Sequence, residues 1–292
     1  MELNDLLRAA TIDPKRTFVL RHRPTEPSFR RTLPLLAGAR LDLFEAYQSY
    51  QGPQMELSFT KRLGGHLASF IEYEPGKAVF VALYSVADAK LITREQFWAM
   101  PEQIELHGLG NPGWTEAEKR EERLHFDLRR LPNYEEWRGK LIIEWPPHRS
   151  WGRRASETPL PVLAIREDSA FAGELPPWDQ LDYSWAELQI LPTRMKAALE
   201  QWRGIYLIWD ERDGRSYVGS AYGSTNLLGR WLNYAASGHG GNKRLQGRDP
   251  STFRFTILQR VSPDLDQDEV VRLEATWKLR LHTRLAFGLN EN

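Results

Sequence analysis

Apolar and polar positions fall into their clearest pattern over the last third of the chain. Residues 204–209 (GIYLIW) are an apolar, aromatic, β-branched run of strand length, and residues 215–219 (RSYVG) are a second. The charged segment between them ends in Asp213-Gly214, turn chemistry that predicts an antiparallel hairpin. Thr225 or Asn226 can cap a following helix that ends before Gly238. On it Leu227, Trp231 and Ala235 form one apolar stripe, and Arg230 and Tyr234 lie four apart on another face, a cation and a phenol displayed off the core side. Asn242 to Leu245 reads as the start of a short helix, and Phe253 to Leu258 (FRFTIL) as a third strand. Asp266 to Leu281 reads as a long helix that turns Val270, Leu273 and Trp277 to the sheet and places Asp266, Asp268 and Glu269 at its positive end.

Upstream the pattern changes twice. Residues 1–60 read as mostly helical, with helical periodicity over Leu41 to Tyr50 and a short strand at Phe18 to Leu20. From about residue 57 strands dominate: Leu67 to Glu74 and Ala78 to Val86 flank a Pro75-Gly76-Lys77 turn, followed by Arg123 to Arg130, Leu141 to Trp145 and Pro161 to Ile165. Residues 94–100 form a short helix in this reading. The fold class is therefore α+β: a helical segment (1–60), a strand-rich, barrel-like domain (57–170), a linker and connecting helix (171–202), and a small antiparallel sheet flanked by helices (203–292). In the connecting region Ser184 to Glu187 fits a capping box, and Thr193 can cap a helix running to Trp202.

The order GIY, YVG, a helical Arg, a Glu on a later helix and a terminal Asn resembles the GIY-YIG nuclease domain over about residues 203–292. That family includes homing endonucleases, the incision nuclease of bacterial excision repair and several restriction enzymes. The resemblance implies catalytic roles. Tyr217 looks like the general base or water-orienting phenol, with Tyr206 beside it, and Arg230 like the phosphate-binding arginine. Tyr234 occupies a place where members carry His or Tyr, Glu274 resembles the carboxylate on a divalent cation, and Asn290 the polar residue that closes the site. The chain departs from the family at Gly238-His239-Gly240-Gly241, where some members place a second catalytic His.

Phosphodiester hydrolysis needs an activated water, a cation against the crowded phosphate and neutralisation of the leaving oxygen. One carboxylate suits Mg2+ or Mn2+, which keep waters and borrow phosphate oxygens as ligands. A free phenol, with a pKa of about 10, is a poor base at neutral pH, so Arg230 and the metal are expected to lower that of Tyr217. Taken singly, the tyrosines are as readily strand aromatics, Arg230 a solvated helix residue, and Glu274 an ordinary intrahelical partner of Lys278. Joint spacing favours the constellation. A structural zinc site is excluded by the absence of cysteine and of paired-histidine spacing.

The chain has 292 residues with 39 basic and 39 acidic side chains, so nucleic-acid contacts must rest on local patches. The connection from Pro146 to Pro159 interleaves Trp151 with Arg149, Arg153 and Arg154, the residue types that grip phosphate and stack on bases. An exposed loop whose Trp packs back onto the barrel fits equally well. His239 and Lys243 are further candidate nucleic-acid contacts. Arg21, Arg23, Arg30 and Arg31 form an earlier basic cluster, a candidate phosphate contact for which solvated surface is the commoner reading, and Trp98, Trp114, Trp137 and Trp145 are candidates for core packing or a base pocket. The strand-rich, Trp-rich stretch is loosely reminiscent of PUA-like or EVE-like readers, with no motif to anchor the comparison. No apolar run reaches membrane length and the N-terminus lacks a signal-peptide core, which predicts a cytoplasmic protein. The expected function is a metal-dependent DNA endonuclease whose upstream domain selects the DNA, in restriction or other defence. The alternatives are a repair or recombination nuclease and a catalytically inactive nucleic-acid-binding protein. Cutting both strands with one site per chain favours a homodimer or two sequential nicks.

Overall fold

The computed structural model describes every residue except 62, 148–150, 173–174, 225, 285–286 and 292, and the side chain of residue 54. The chain forms two compact units, Met1–Gly173 and Glu174–Asn292. Together they give the α+β architecture expected from the sequence.

The first unit contains β1 (Thr17–His22), β2 (His66–Glu74), β3 (Lys77–Thr93), β4 (Glu122–Leu131), β5 (Leu141–Glu144), β6 (Gly152–Arg154) and β7 (Val162–Ile165). Its helices are α1 (Leu3–Ala9), α2 (Pro27–Ala39), α3 (Leu41–Gln48), α4 (Pro53–Thr60), α5 (Arg94–Trp98) and α6 (Pro101–Gly108). The strands make one curled sheet in the order β6-β1-β2-β3-β5-β7, and β4 also pairs with β3. The 17-residue β3 is long enough to hold β2 along one edge, β5 at the start of the other and β4 along the rest. β1 runs parallel to β2 and is buried along its whole length, as befits a strand covered on both faces. Its Arg21, expected in a solvated cluster, is only 6% exposed. Part of the Pro146–Pro159 connection, expected as a projecting loop, is the short strand β6 antiparallel to β1. Trp114 and Trp145 are core residues, and Trp137 stacks on Tyr134.

The second unit contains β8 (Asp182–Ser184), α7 (Trp185–Gln189), α8 (Thr193–Gln201), β9 (Arg203–Asp210), β10 (Ser216–Ala221), α9 (Asn226–Ser237), β11 (Phe253–Val261) and α10 (Gln267–Arg280). The strands form an antiparallel sheet in the order β10-β9-β11-β8, so β10 is an edge. Alternation along β9 assigns the two faces: Tyr206 and Ile208 join the core with Leu227, Trp231 and Tyr234 of α9, while Ile205 packs with Val218 and Val270 of α10. The sheet is therefore sandwiched between helices. Ser184 and Glu187 make the expected capping box, and Asp266 and Glu269 make another at α10. At α8 Pro192 holds the cap position and Thr193 is the first helical residue. Residues 242–245 are turns rather than a short helix. Among the described residues, no helix is long and apolar enough to cross a membrane.

Candidate active site

Two glycines let the hairpin bring its tyrosines together. Gly204 lies where β11 bulges between Ile257 and Gln259, and a Cβ there would collide with the Gln259 carbonyl. Gly219 pairs across the ladder with Tyr206, whose phenol lies over it, so a Cβ at 219 would run into the Tyr206 hydroxyl. Tyr217 pairs with Ile208 and shares the same face. From α9, Tyr234 closes the group: its hydroxyl is 3.4 Å from that of Tyr206, and its ring centroid is 5.7 Å from that of Tyr217. Gly240, at φ 51°, admits the Tyr234 ring, since a Cβ there would be 2.6 Å from Cε1.

This arrangement corrects the expectation for α9. Tyr234 is not displayed off the core side; it is 1% exposed, and Leu228 is buried with it. The helix is covered by both the sheet and α8, so its buried face is broader than one stripe. Arg230 does stay exposed, with its Nε 3.5 Å from the Ser220 carbonyl oxygen.

Burial pushes the phenols of Tyr206 and Tyr217 above their ordinary value, and neighbouring Tyr234 adds to this. The shift opposes the expected one. Glu274 also raises Tyr217, while a hydrogen bond from the Asn242 side chain acts in the other direction. Arg230 favours ionisation of Tyr206 and interacts with Tyr217 as well, but burial outweighs it. The phenols in turn hold the Arg230 guanidinium above its usual value, against partial desolvation.

Glu274 comes from α10, on the opposite face of the sheet. It reaches the site through the edge strand: Ser220, opposite Ile205 on the α10 face, donates its hydroxyl to Oε2. The Lys278 ammonium, one turn along, is 2.8 Å from Oε1. Asn290 is 2% exposed, and its amide is engaged by the backbone of β10: Oδ1 accepts from Val218 N at 2.9 Å, and Nδ2 donates to Val218 O at 2.8 Å. Leu289 N donates to Ser216 O at 3.0 Å. The outward-facing groups of residues 216, 218 and 220 are thus met by Leu289, Asn290 and Arg230 in turn. The phenols and the carboxylate lie on opposite faces of the sheet; Glu274 bonds the edge strand at Ser220 and acts on Tyr217 electrostatically.

The oxygen donors at this edge, Glu274 and Ser220, are the hard ligands that Mg2+ or Mn2+ prefers, although Lys278 holds one carboxylate oxygen. No cluster of three or more His, Cys, Asp or Glu side chains suited to a metal is present among the described residues. His239 is half-buried, and its Nδ1 accepts from Gly241 N at 3.0 Å, which fixes the loop. Lys243 is exposed in the turns that follow. In the first unit Trp151 is 48% exposed, Arg154 pairs with Glu157, and Arg153 lies 5.7 Å from the centroid of the Trp145 ring. Arg149 is outside the described residues. Ser220, Asn242 and Lys278 were not identified as site residues from sequence. Lys278 carried only the four-residue spacing from Glu274.

No family model and no curated protein matches the chain. Among solved structures, the catalytic domain of homing endonuclease I-TevI is 24% identical over 31% of this chain and 98% of that one, with a TM-score of 0.26. A point mutant of the catalytic domain of intron endonuclease I-TevI is 21% identical, covering 32% of this chain and 95% of that one, with a TM-score of 0.27. The similarity is distant and confined to part of the chain.

Proposed function

We propose that the chain is a divalent-metal-dependent DNA endonuclease whose first unit selects the DNA, acting in restriction or other defence against foreign DNA. The observation that carries this reading is the convergence of Arg230 and Glu274 on Ser220 of the edge strand that also carries Tyr217, with Arg230 exposed to take a phosphate. The guanidinium stays charged and positions the phosphodiester by paired hydrogen bonds. Because Tyr217 is held neutral, it serves as a hydroxyl that orients the attacking water rather than as a phenolate base. Glu274 would hold the metal, which supplies charge neutralisation at the leaving oxygen when bound. Asn290 keeps β10, and with it Tyr217, in register.

Plasmid cleavage in Mg2+ or Mn2+ tests the reading. Glu274→Gln and Arg230→Ala should each lower the rate by about a hundredfold or more while near-UV circular dichroism is unchanged. Full cleavage by either variant would overturn the assignment. A second reading, a nucleic-acid-binding protein without catalysis, is favoured by one observation: Lys278 already neutralises the Glu274 carboxylate. Duplex binding without cleavage in either metal would select it.

A further inference from the structure

Three arginines line one cavity of the first unit, about 510 Å3 in volume. Arg21 comes from β1, Arg23 follows that strand, and Arg30 comes from α2. Arg23 and Arg30 are exposed, whereas the side chain of Arg21 is 7% exposed, so the cavity combines two solvent-accessible cations with one that is held in place. Glu72 is shared between Arg21 and Arg23, at 3.3 and 2.9 Å. Glu74, the other acid on the wall, is engaged by Lys77 at 2.7 Å. Arg30 donates from Nε and Nη2 to the carbonyls of Pro24 and Thr25, neutral groups that fix its position and leave its charge in place.

The balance of charge is positive. With Glu74 answered by Lys77, three guanidiniums share the one carboxylate of Glu72. Burial and the charges of Arg23 and Arg153 oppose the charge on Arg21 despite the help of Glu72, so a second anion beside it would relieve a standing electrostatic cost. Arg21 Nε is buried without a hydrogen-bond partner among the described residues, as expected of a guanidinium short of acceptors. A carboxylate is satisfied by a single arginine fork, whereas forks arriving from three positions suit the several oxygens of a tetrahedral phosphate. Pro34, Pro75, Pro146 and Pro147 also line the cavity. Their rings donate no N–H and offer apolar surface to the sugars on either side of a backbone phosphate.

We propose that this cavity holds one phosphate of the DNA backbone on Arg21, Arg23 and Arg30. The phosphate chemistry follows from these residues alone. Its source, a duplex rather than free phosphate, rests on the nuclease reading above. A backbone phosphate carries no sequence information, so the site anchors the first unit on DNA and sets its register, and any choice of sequence is made elsewhere.

The test uses the full chain in EDTA, so that cleavage plays no part. Fluorescence anisotropy follows labelled duplexes of unrelated sequence over a range of salt concentrations. Arg23→Gln should weaken binding to all of them alike, by about three- to tenfold. Arg23→Gln combined with Arg30→Gln should lower the steepness of log K against log salt by about 1 in total, because the arginines share one phosphate. Glu72→Gln removes the competing acid and should tighten binding by about three- to tenfold, a gain that damage to the fold would not produce. Isothermal titration calorimetry with inorganic phosphate forms the second arm. Phosphate binding that is lost in Arg23→Gln, beside duplex binding that is unchanged, supports the site with free phosphate as its source. A steepness lowered by about 2 would put the two arginines on separate phosphates and overturn the shared site. Equal weakening by Arg129→Gln, an exposed arginine outside the cavity, would overturn it too. Duplex and phosphate binding that is unchanged by the substitutions at 23, 30 and 72 overturns the proposal. Absence of plasmid cleavage, with duplex binding still dependent on Arg23, would bear on the nuclease reading and leave this one standing.

Discussion

Replacing Asn290 probes the β10 edge most directly, because its amide bonds both polar groups of a single buried residue. Val218 is fully buried, so its N–H and C=O, which face away from β9, have no ready access to water. Asn290→Ala removes both partners at once. Each buried group left unsatisfied costs about 1–3 kcal/mol, so the variant should lose about 2–4 kcal/mol after some rearrangement. In a unit of this size that corresponds to a fall in Tm of about 8–15 °C. Asn290→Asp sharpens the test. It keeps the acceptor for Val218 N but sets a carboxylate oxygen against Val218 O, unless it is protonated and donates. Burial and the facing carbonyl raise the folded-state pKa of the new acid above its unfolded value of about 3.9. The deficit relative to wild type should therefore be small near pH 4 and deepen by about 1.4 kcal/mol per unit as pH rises toward the folded-state pKa. Thermal melts of wild type and both variants from pH 4 to 8 read this out. If Asn290→Ala melts within about 2 °C of wild type, where the two orphaned groups predict several times that, or if the Asp deficit is flat with pH, the edge lock is not a determinant of stability.

Other perturbations give independent outcomes. Lys278→Met frees Glu274 Oε1 from its ammonium and should lower the half-activating Mn2+ concentration for cleavage by about tenfold, the equivalent of one charge-assisted hydrogen bond; an unchanged midpoint would show that Lys278 does not compete. Gly219→Ala drives a methyl into the Tyr206 hydroxyl and should cost about 1–3 kcal/mol of stability, seen as a lower Tm together with slower cleavage; a native Tm would mean that the phenol moves freely. His22 is buried beside Phe44 and Tyr47, and burial lowers its pKa to about 3. The unfolded chain takes up a proton near pH 6.5 that the folded chain refuses, so stability falls as pH drops below that value, by about 3 kcal/mol at pH 4. His22→Phe should flatten this decline in acid melts, and an equally steep decline would place the acid sensitivity elsewhere.

Strands with strong alternation and turns with Gly in place were readable from the sequence, because both signals are local. The hairpin of β9 and β10 and the apolar face of α10 are of this kind. Tyr234 was misplaced because one stripe of α9 was treated as the whole buried face, whereas α8 covers a second. Arg21 was assigned to the surface because its neighbours in sequence are charged; the parallel pairing of β1 with β2 and the antiparallel pairing with β6 bury it, and neither is a local property. β6 itself is three residues carrying two arginines, with no apolar rhythm to mark it. Glu274 and Tyr217 were singled out from the sequence, but their placement on opposite faces of the sheet was not legible there.

That relation dictates what kind of site this can be. Residues on opposite faces of a sheet interior are separated by the backbone layer, and no ligand can reach both. At an edge strand the layer ends, so side chains from the two faces can meet around it. An open edge is also a hazard, since its free N–H and C=O groups invite another strand. Here the groups of Ser216 and Val218 are taken by Leu289 and Asn290, and the last outward carbonyl, that of Ser220, meets the long and easily displaced guanidinium of Arg230. With the edge blocked over residues 216–218, the place where a proposed substrate could compete for it is Ser220, where Arg230 and Glu274 converge. On the proposed reading Leu289 and Asn290 act as a seal on this edge, and weakening that seal should cost activity even where Tyr217, Arg230 and Glu274 are intact.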